Sequence, residues 1–312
     1  MAFQTSPVRS DLTNLVNEYA LKAENFVADS VFPPASVSLQ SATVSVATRE
    51  SMLSPVSLDK TKDGFTVADT KLGKMTYSCL PKGTSEVIDA QIQAPPGWIE
   101  ERDTVNTLMA RVHLAKEIEI ASILQNTAVW DDTIAPYYDG SVWATAATAT
   151  PVKDIQTAVM ESENLTGVAP DTLVINSQQL AWLLSAAEVR SSFPGSAALT
   201  VPMLLANLAP IFGLTKLFVS RAKQNSSKVE DTFTAAAVWS NDYAMVCKTA
   251  SPGAPLTEPS IGRTLEWDGD TPGWTVTVDY IGANKKQWIY TVSRNYEQKL
   301  IDPAFGCLVK VT

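Results

Sequence analysis

The chain has 312 residues, with 33 acidic against 24 basic side chains and a net charge of −9. By the ~150-residue prior that length gives about two domains able to bury roughly 75% of the unfolded surface, and 45% hydrophobic with 18% charged residues excludes wholesale disorder. A pI near 4.8 is the wrong sign for gripping phosphates, and three widely spaced cysteines, Cys79, Cys247 and Cys307, exclude a disulfide framework and a cysteine zinc site and fit a reducing compartment.

Residues 1–11 have no apolar signal-peptide core, and the stretch 199–214 is too short to span a bilayer and is broken by Pro202, Asn207 and Pro210. The chain therefore reads as soluble and made in the cytoplasm. Leu12, Leu15, Val16, Tyr19, Ala23, Phe26 and Val27 form one stripe of 3.6-residue period. This predicts an amphipathic helix capped by Ser10 and stopped at Pro33-Pro34, lying on a surface of this chain or of a neighbour.

From Ser36 to about Gly83 the period becomes two, with Val44 and Val46, Phe65 and Val67, and Met75, Tyr77 and Cys79 alternating with small or polar residues. Such a hairpin has too little apolar surface to stand alone and needs something to hold it. Residues 45–85 hold six basic side chains (Arg49, Lys60, Lys62, Lys71, Lys74, Lys82) against four acidic ones (Glu50, Asp59, Asp63, Asp69), a local net of +2. Either this mildly basic arm lies across another copy of an acidic body, or its lysines guard strand edges in solvent.

A long helix is expected over 103–125, after Pro95-Pro96-Gly97, with Val105, Leu108, Met109 and Val112 on one face and Leu114, Ile118 and Ala121 opposite. Beyond a Thr/Ala-rich connection the pattern turns α/β. Thr150-Pro151 opens a helix with Val152, Ile155 and Val159 inward, and a strand over 172–175 precedes a helix capped by Ser177. Thr200 starts a helix ending near Gly213, strands follow at 217–220, 234–239 and 243–247, and 223–231 reads as a polar loop. Residues 273–312 are nearly all β, with Trp274, Val276 and Val278, then Trp288, Tyr290 and Val292, in alternation.

The search for chemistry yields no catalytic, cofactor-binding or metal site. His113, the one histidine, has only Glu117 in helical reach and reads as a surface or interface residue paired with it. There is no G-x-S-x-G elbow and no phosphate loop. Asp268-Gly269-Asp270 reads as a turn, and the pairs Glu100-Glu101 and Asp131-Asp132 as solvated carboxylates. Trp98, Trp182, Trp239 and Trp288 read as core, whereas Trp130, Trp143, Tyr137 and Tyr138 sit in an irregular region suited to a protein interface.

In texture and order of elements the chain resembles the major capsid protein of tailed double-stranded-DNA bacteriophages, the Hong Kong ninety-seven-like fold. The likeness rests on Tyr19-Ala20 through Phe26-Val27-Ala28-Asp29 and Val31-Phe32-Pro33, and on Leu173-Val174-Ile175-Asn176 followed by Trp182-Leu183-Leu184. Leu208-Ala209-Pro210-Ile211-Phe212-Gly213-Leu214 and Val238-Trp239 with Ala244-Met245-Val246 extend it. The resemblance implies an α+β fold: an N-terminal arm (1–40), an extended β-hairpin loop (41–90), a peripheral domain with a long spine helix (91–149 and 262–312), and an α/β axial domain (150–261).

It further implies a non-enzymatic virion shell protein, without cofactor or metal, assembled in the host bacterial cytoplasm. Its partners would be copies of itself in pentamers and hexamers, a separate scaffolding protein unless the product is already trimmed, a portal, a decoration protein where one is used, and DNA enclosed non-specifically, with no membrane. The inter-subunit contacts expected are Phe26, Phe32, Lys60, Lys62, Phe65, Lys71 and Lys74. Two other readings stay open: an encapsulin-type compartment shell, and an acidic α/β hydrolytic enzyme whose only mid-helix carboxylates would be Glu117 and Glu119.

Overall fold

The computed structural model describes residues 8–20, 26–53, 60–61, 64–65, 72–89, 97–130, 135–192, 201–227, 232, 234–269, 273–281 and 287–312. In chain order the elements are α1 (Ser10–Ala20), α2 (Ala28–Val31), β1 (Pro34–Val37), β2 (Ser41–Val46), α3 (Arg49–Leu53), β3 (Lys60–Thr61), β4 (Gly64–Phe65), β5 (Gly73–Ser78), β6 (Leu80–Asp89) and α4 (Gly97–Leu124). They continue with β7 (Tyr137–Asp139), α5 (Pro151–Thr166), β8 (Thr172–Asn176), α6 (Ser177–Ser185), α7 (Ala187–Ser191), α8 (Val201–Ile211), β9 (Lys216–Ser220), β10 (Lys223–Asn225), β11 (Ala235–Ala237) and β12 (Tyr243–Cys247). The last four are β13 (Gly262–Trp267), β14 (Thr275–Ile281), β15 (Gln287–Leu300) and β16 (Gly306–Lys310).

Two five-stranded sheets organise these elements. In the first, β15 is flanked on one side by β6 and on the other by β14 and β13 laid end to end, since Tyr296 pairs both Leu80 and Glu266. β1 joins β13 in parallel. The second has the order β7-β16-β12-β8-β9 and carries α5 to α8. Sheet membership crosses the expected segment limits: 80–89 lies in the first sheet, while 137–139 and 306–310 lie in the second. Cys307, Leu308 and Val309 are fully buried, and β16 is covered on both faces, by the cluster that takes Cys307 and Val309 on one side and the cluster that takes Leu308 on the other.

α1 rests on its own chain. Leu12 and Val16 are fully buried against Val105, Leu108, Met109 and Val112 of α4 and against Val276 and Val292 of the first sheet. Its start is one residue earlier than expected: Ser10 is helical, and the Arg9 carbonyl accepts the first helical bond, from Thr13 N–H at 2.9 Å. Arg9 is fixed there because its N–H donates to the Val276 carbonyl, at 3.0 Å, and its guanidinium pairs with Asp11. Ala23 lies outside the described residues.

The hairpin base is also held by its own subunit. β2 and β5 pair from Ser41↔Ser78 to Val46↔Gly73, and Val46, Met75, Tyr77 and Cys79 bury themselves with Ala35, Val37 and Leu265. Of the two surfaces left open for the first helix, α1 takes that of its own chain, and the base ribbon needs no other copy to bury its apolar face. The tip is different: among the described residues β3 pairs only with β4, Lys60↔Phe65 and Thr61↔Gly64.

α4 starts at Gly97, six residues before Asp103, because nothing between them breaks a helix; its 28 residues span about 42 Å at ~1.5 Å each. The α6 cap is Asn176, one residue before Ser177: its side chain accepts from Gln179 N–H at 2.8 Å, and Gln179 Oε1 accepts from Asn176 N–H at 3.1 Å, a capping box. Lys223–Asn225, expected in a loop, pairs with β11.

Gly262 lies under Phe32: a Cβ there would sit 2.4 Å from the Phe32 ring and 2.8 Å from the Lys299 carbonyl oxygen. Gly262→Ala is expected to cost roughly 2 kcal/mol by overpacking, read as a lower denaturant midpoint at unchanged slope.

Where β8, β9 and β12 converge, Asp171 accepts from Thr249 N–H at 3.0 Å, Lys248 Nζ at 3.0 Å and Thr172 Oγ at 2.9 Å. Burial pushes its carboxyl up, but these donors outweigh burial and hold the pKa below the ordinary 3.8. A carboxyl depressed in the fold stabilises above its unfolded pKa and loses that contribution as pH falls through the folded one. Asp171→Asn is therefore expected to be about 1 kcal/mol less stable at pH 7, with the gap closing below about pH 4 in denaturant titrations.

Candidate functional site

The residues nominated from sequence as contacts between copies fall into three groups. Phe32 is fully buried in its own subunit, packed with Val27, Val31, Ile120 and Phe305, so its side chain offers nothing to a neighbour; that assignment is corrected. Phe26 is half-buried and stacks on His113, with centroids 5.7 Å apart. Lys74 is exposed on β5 opposite Ser45, Lys60 and Phe65 lie in the tip strands, and Lys62 and Lys71 lie outside the described residues.

The segment 26–32 sits on a polar ridge of α4 that sequence reasoning placed on the surface. His113, Lys116 and Glu117 share one helix face at i, i+3 and i+4 and are buried. The Lys116 ammonium pairs with the Asp29 carboxylate and lies over the rings of Tyr296 (5.3 Å) and Trp274 (5.9 Å). Burial lowers the pKa of His113, opposed by Asp29. The histidine is not paired with Glu117 as expected, because that carboxylate is fully committed elsewhere.

Glu117 Oε2 accepts from the backbone N–H of Val27 at 3.0 Å and of Ala28 at 2.8 Å. Oε1 accepts from Ser220 Oγ at 2.8 Å and Trp239 Nε1 at 2.6 Å. One buried side chain thus joins the arm, the spine helix and the second sheet. Burial raises its pKa, opposed by the same four donors. A second tie lies at the end of α4, where Gln125 Nε2 donates to the Tyr243 carbonyl at 3.2 Å and Ser240 N–H donates to Gln125 Oε1 at 2.8 Å.

Glu119 points elsewhere, pairing with Lys82 at 2.5 Å beside an open groove of about 310 Å³ floored by Val112, Ala115 and Tyr296. The two mid-helix carboxylates therefore do not converge on one substrate position. Glu101 accepts from Tyr290 Oη at 2.8 Å, whereas Asp131 and Asp132 lie outside the described residues. Among the described residues no three metal-ligating side chains gather, and no helix is long and apolar enough to cross a membrane.

The cysteines are all buried, and burial pushes the Cys79 thiol up to about 11, away from nucleophilic use. Trp130 and Trp143, expected at an interface, are core residues: their indole N–H groups donate to the Leu124 carbonyl at 2.8 Å and to Asp154 Oδ2 at 2.9 Å. What the geometry builds is a set of struts, with Lys74 exposed on the base ribbon beyond them.

No protein-family model matches the chain, and no curated protein does. Solved structures share its fold over nearly its whole length. A phage-related protein from Bordetella bronchiseptica aligns at 22% identity and a TM-score of 0.73, covering 99% of this chain and 98% of the other. The putative capsid protein of an Escherichia coli prophage aligns at 11% identity and a TM-score of 0.56, covering 99% and 100%. A virus-like particle protein from Pyrococcus furiosus aligns at 12% identity and a TM-score of 0.53, covering 96% and 98%. The chain has an α+β fold that is Hong Kong ninety-seven-like.

Proposed function

We propose that the chain is the major capsid protein of a tailed phage, a subunit that closes into an icosahedral shell around DNA. The observation that carries this reading is end-to-end agreement of fold with a putative prophage capsid protein, over 99% of this chain and 100% of the other. Two stiff sheets braced by α4 give each copy a rigid plate, and the hairpin tip, which pairs only with itself among the described residues, supplies reach to a neighbour. Many modest contacts repeated by closed symmetry then make the wall, in pentamers and hexamers. A net charge of −9 suits a wall that contains DNA without adhering to it.

Shell closure with a separate scaffolding protein, a portal at one vertex and assembly in the bacterial cytoplasm belong to the same proposal. The role is structural, with no reaction to perform. The likeness to a virus-like particle protein supports a second reading, a compartment shell that encloses a protein cargo. Sedimentation velocity and negative-stain microscopy of the purified protein, with and without scaffolding factors, are expected to show closed shells of uniform size. Monomers under every condition would refute both readings, and co-purifying protein cargo in place of DNA would favour the second.

A further inference from the structure

We infer that Glu117 couples two attachments: the hold of the arm on the spine helix depends on the seating of the second sheet, because both are read by one carboxylate. The four donors come from places far apart in sequence, residues 27 and 28, Ser220 at the end of β9, and Trp239 after β11. They divide by origin. The arm amides take Oε2, while Ser220 of the second sheet and Trp239 of the bend leading into β12 take Oε1.

A carboxylate is rigid, so a shift of Ser220 or Trp239 that drags Oε1 turns Oε2 away from the arm. Glu117 is fully buried, so water cannot step in to replace a lost partner. The flanking contacts confine that response to residues 26–29, since Lys116 pairs with Asp29 and Phe26 stacks on His113. Two sites that bias one shared element are thermodynamically linked, in both directions.

The test is amide hydrogen exchange of the full chain, read at Val27 and Ala28, whose N–H groups touch the carboxylate itself. Ser220→Ala and Trp239→Phe each remove one Oε1 donor and leave the arm sequence unchanged. Each is expected to speed exchange at 27–28 by about tenfold, within the range of measured couplings. In a Glu117→Gln background, where the amide keeps one accepting oxygen, each acceleration should be diminished. Ile120→Val, in the same apolar cluster and without a hydrogen bond to the carboxylate, separates coupling from general softening and is expected to change exchange there by less than about threefold. The inference is overturned if the two donor substitutions leave 27–28 unchanged, if their effects multiply undiminished in the Glu117→Gln background, or if Ile120→Val accelerates exchange as much as they do.

Discussion

Glu117→Ala is expected to lower subunit stability by about 4 kcal/mol, with a fall in Tm on the order of 10 °C. The substitution deletes the acceptor for two backbone amides, an indole N–H and a hydroxyl at once. Each buried donor left without a partner costs about 1–3 kcal/mol, and water entering the space recovers only part of that. Glu117→Gln should be milder, about 2 kcal/mol, because its amide oxygen still accepts two bonds while its NH2 opposes the other two donors. Thermal melts of the unassembled subunit at pH 7 read both. A loss below about 1 kcal/mol for the alanine variant would mean that the four donors find other partners.

Deleting residues 60–69 is expected to leave the subunit folded and to abolish shells or make them fragile. The base ribbon keeps its core of Val46, Met75, Tyr77 and Cys79, and the deleted tip contributes β3 and β4, which pair with each other. Subunit stability should therefore change by less than about 1 kcal/mol. Assembly should fail because the deletion takes away Lys60, Lys62 and Phe65, three of the residues expected to contact a neighbouring copy. Microscopy showing shells with ordinary resistance to denaturant would remove the hairpin from the assembly mechanism.

The parts of the fold legible from sequence are those where apolar residues keep a period. The stripe of Leu12 and Val16, the α4 face of Val105, Leu108, Met109 and Val112, and the alternation through Val276 and Val278 all point into cores as expected. The polar ridge was illegible because charged residues default to the surface, and nothing local marks His113, Lys116 and Glu117 as exceptions. Their partners arrive from residues 26–29, 220 and 239, and pairing across such distances leaves no periodic trace. Burial of Arg263 and Glu266 hid β13 in the same way. The cap at Asn176 rather than Ser177 turned on side-chain geometry alone, since both types cap well. Phe32 was misplaced because an aromatic at the end of an arm reads the same whether it inserts into a sister copy or under its own β13 at Gly262.

The central place of β16 has a consequence during synthesis. The strand bonds β12 on one edge and β7 on the other, and it is made only when residues 306–310 emerge from the ribosome. Until then β7 has no neighbour and β12 lacks one, so the second sheet stays open in a nascent chain. A chain cut short of residue 306 would never close it, and the unpaired edges of β7 and β12 would leave such a product prone to aggregate.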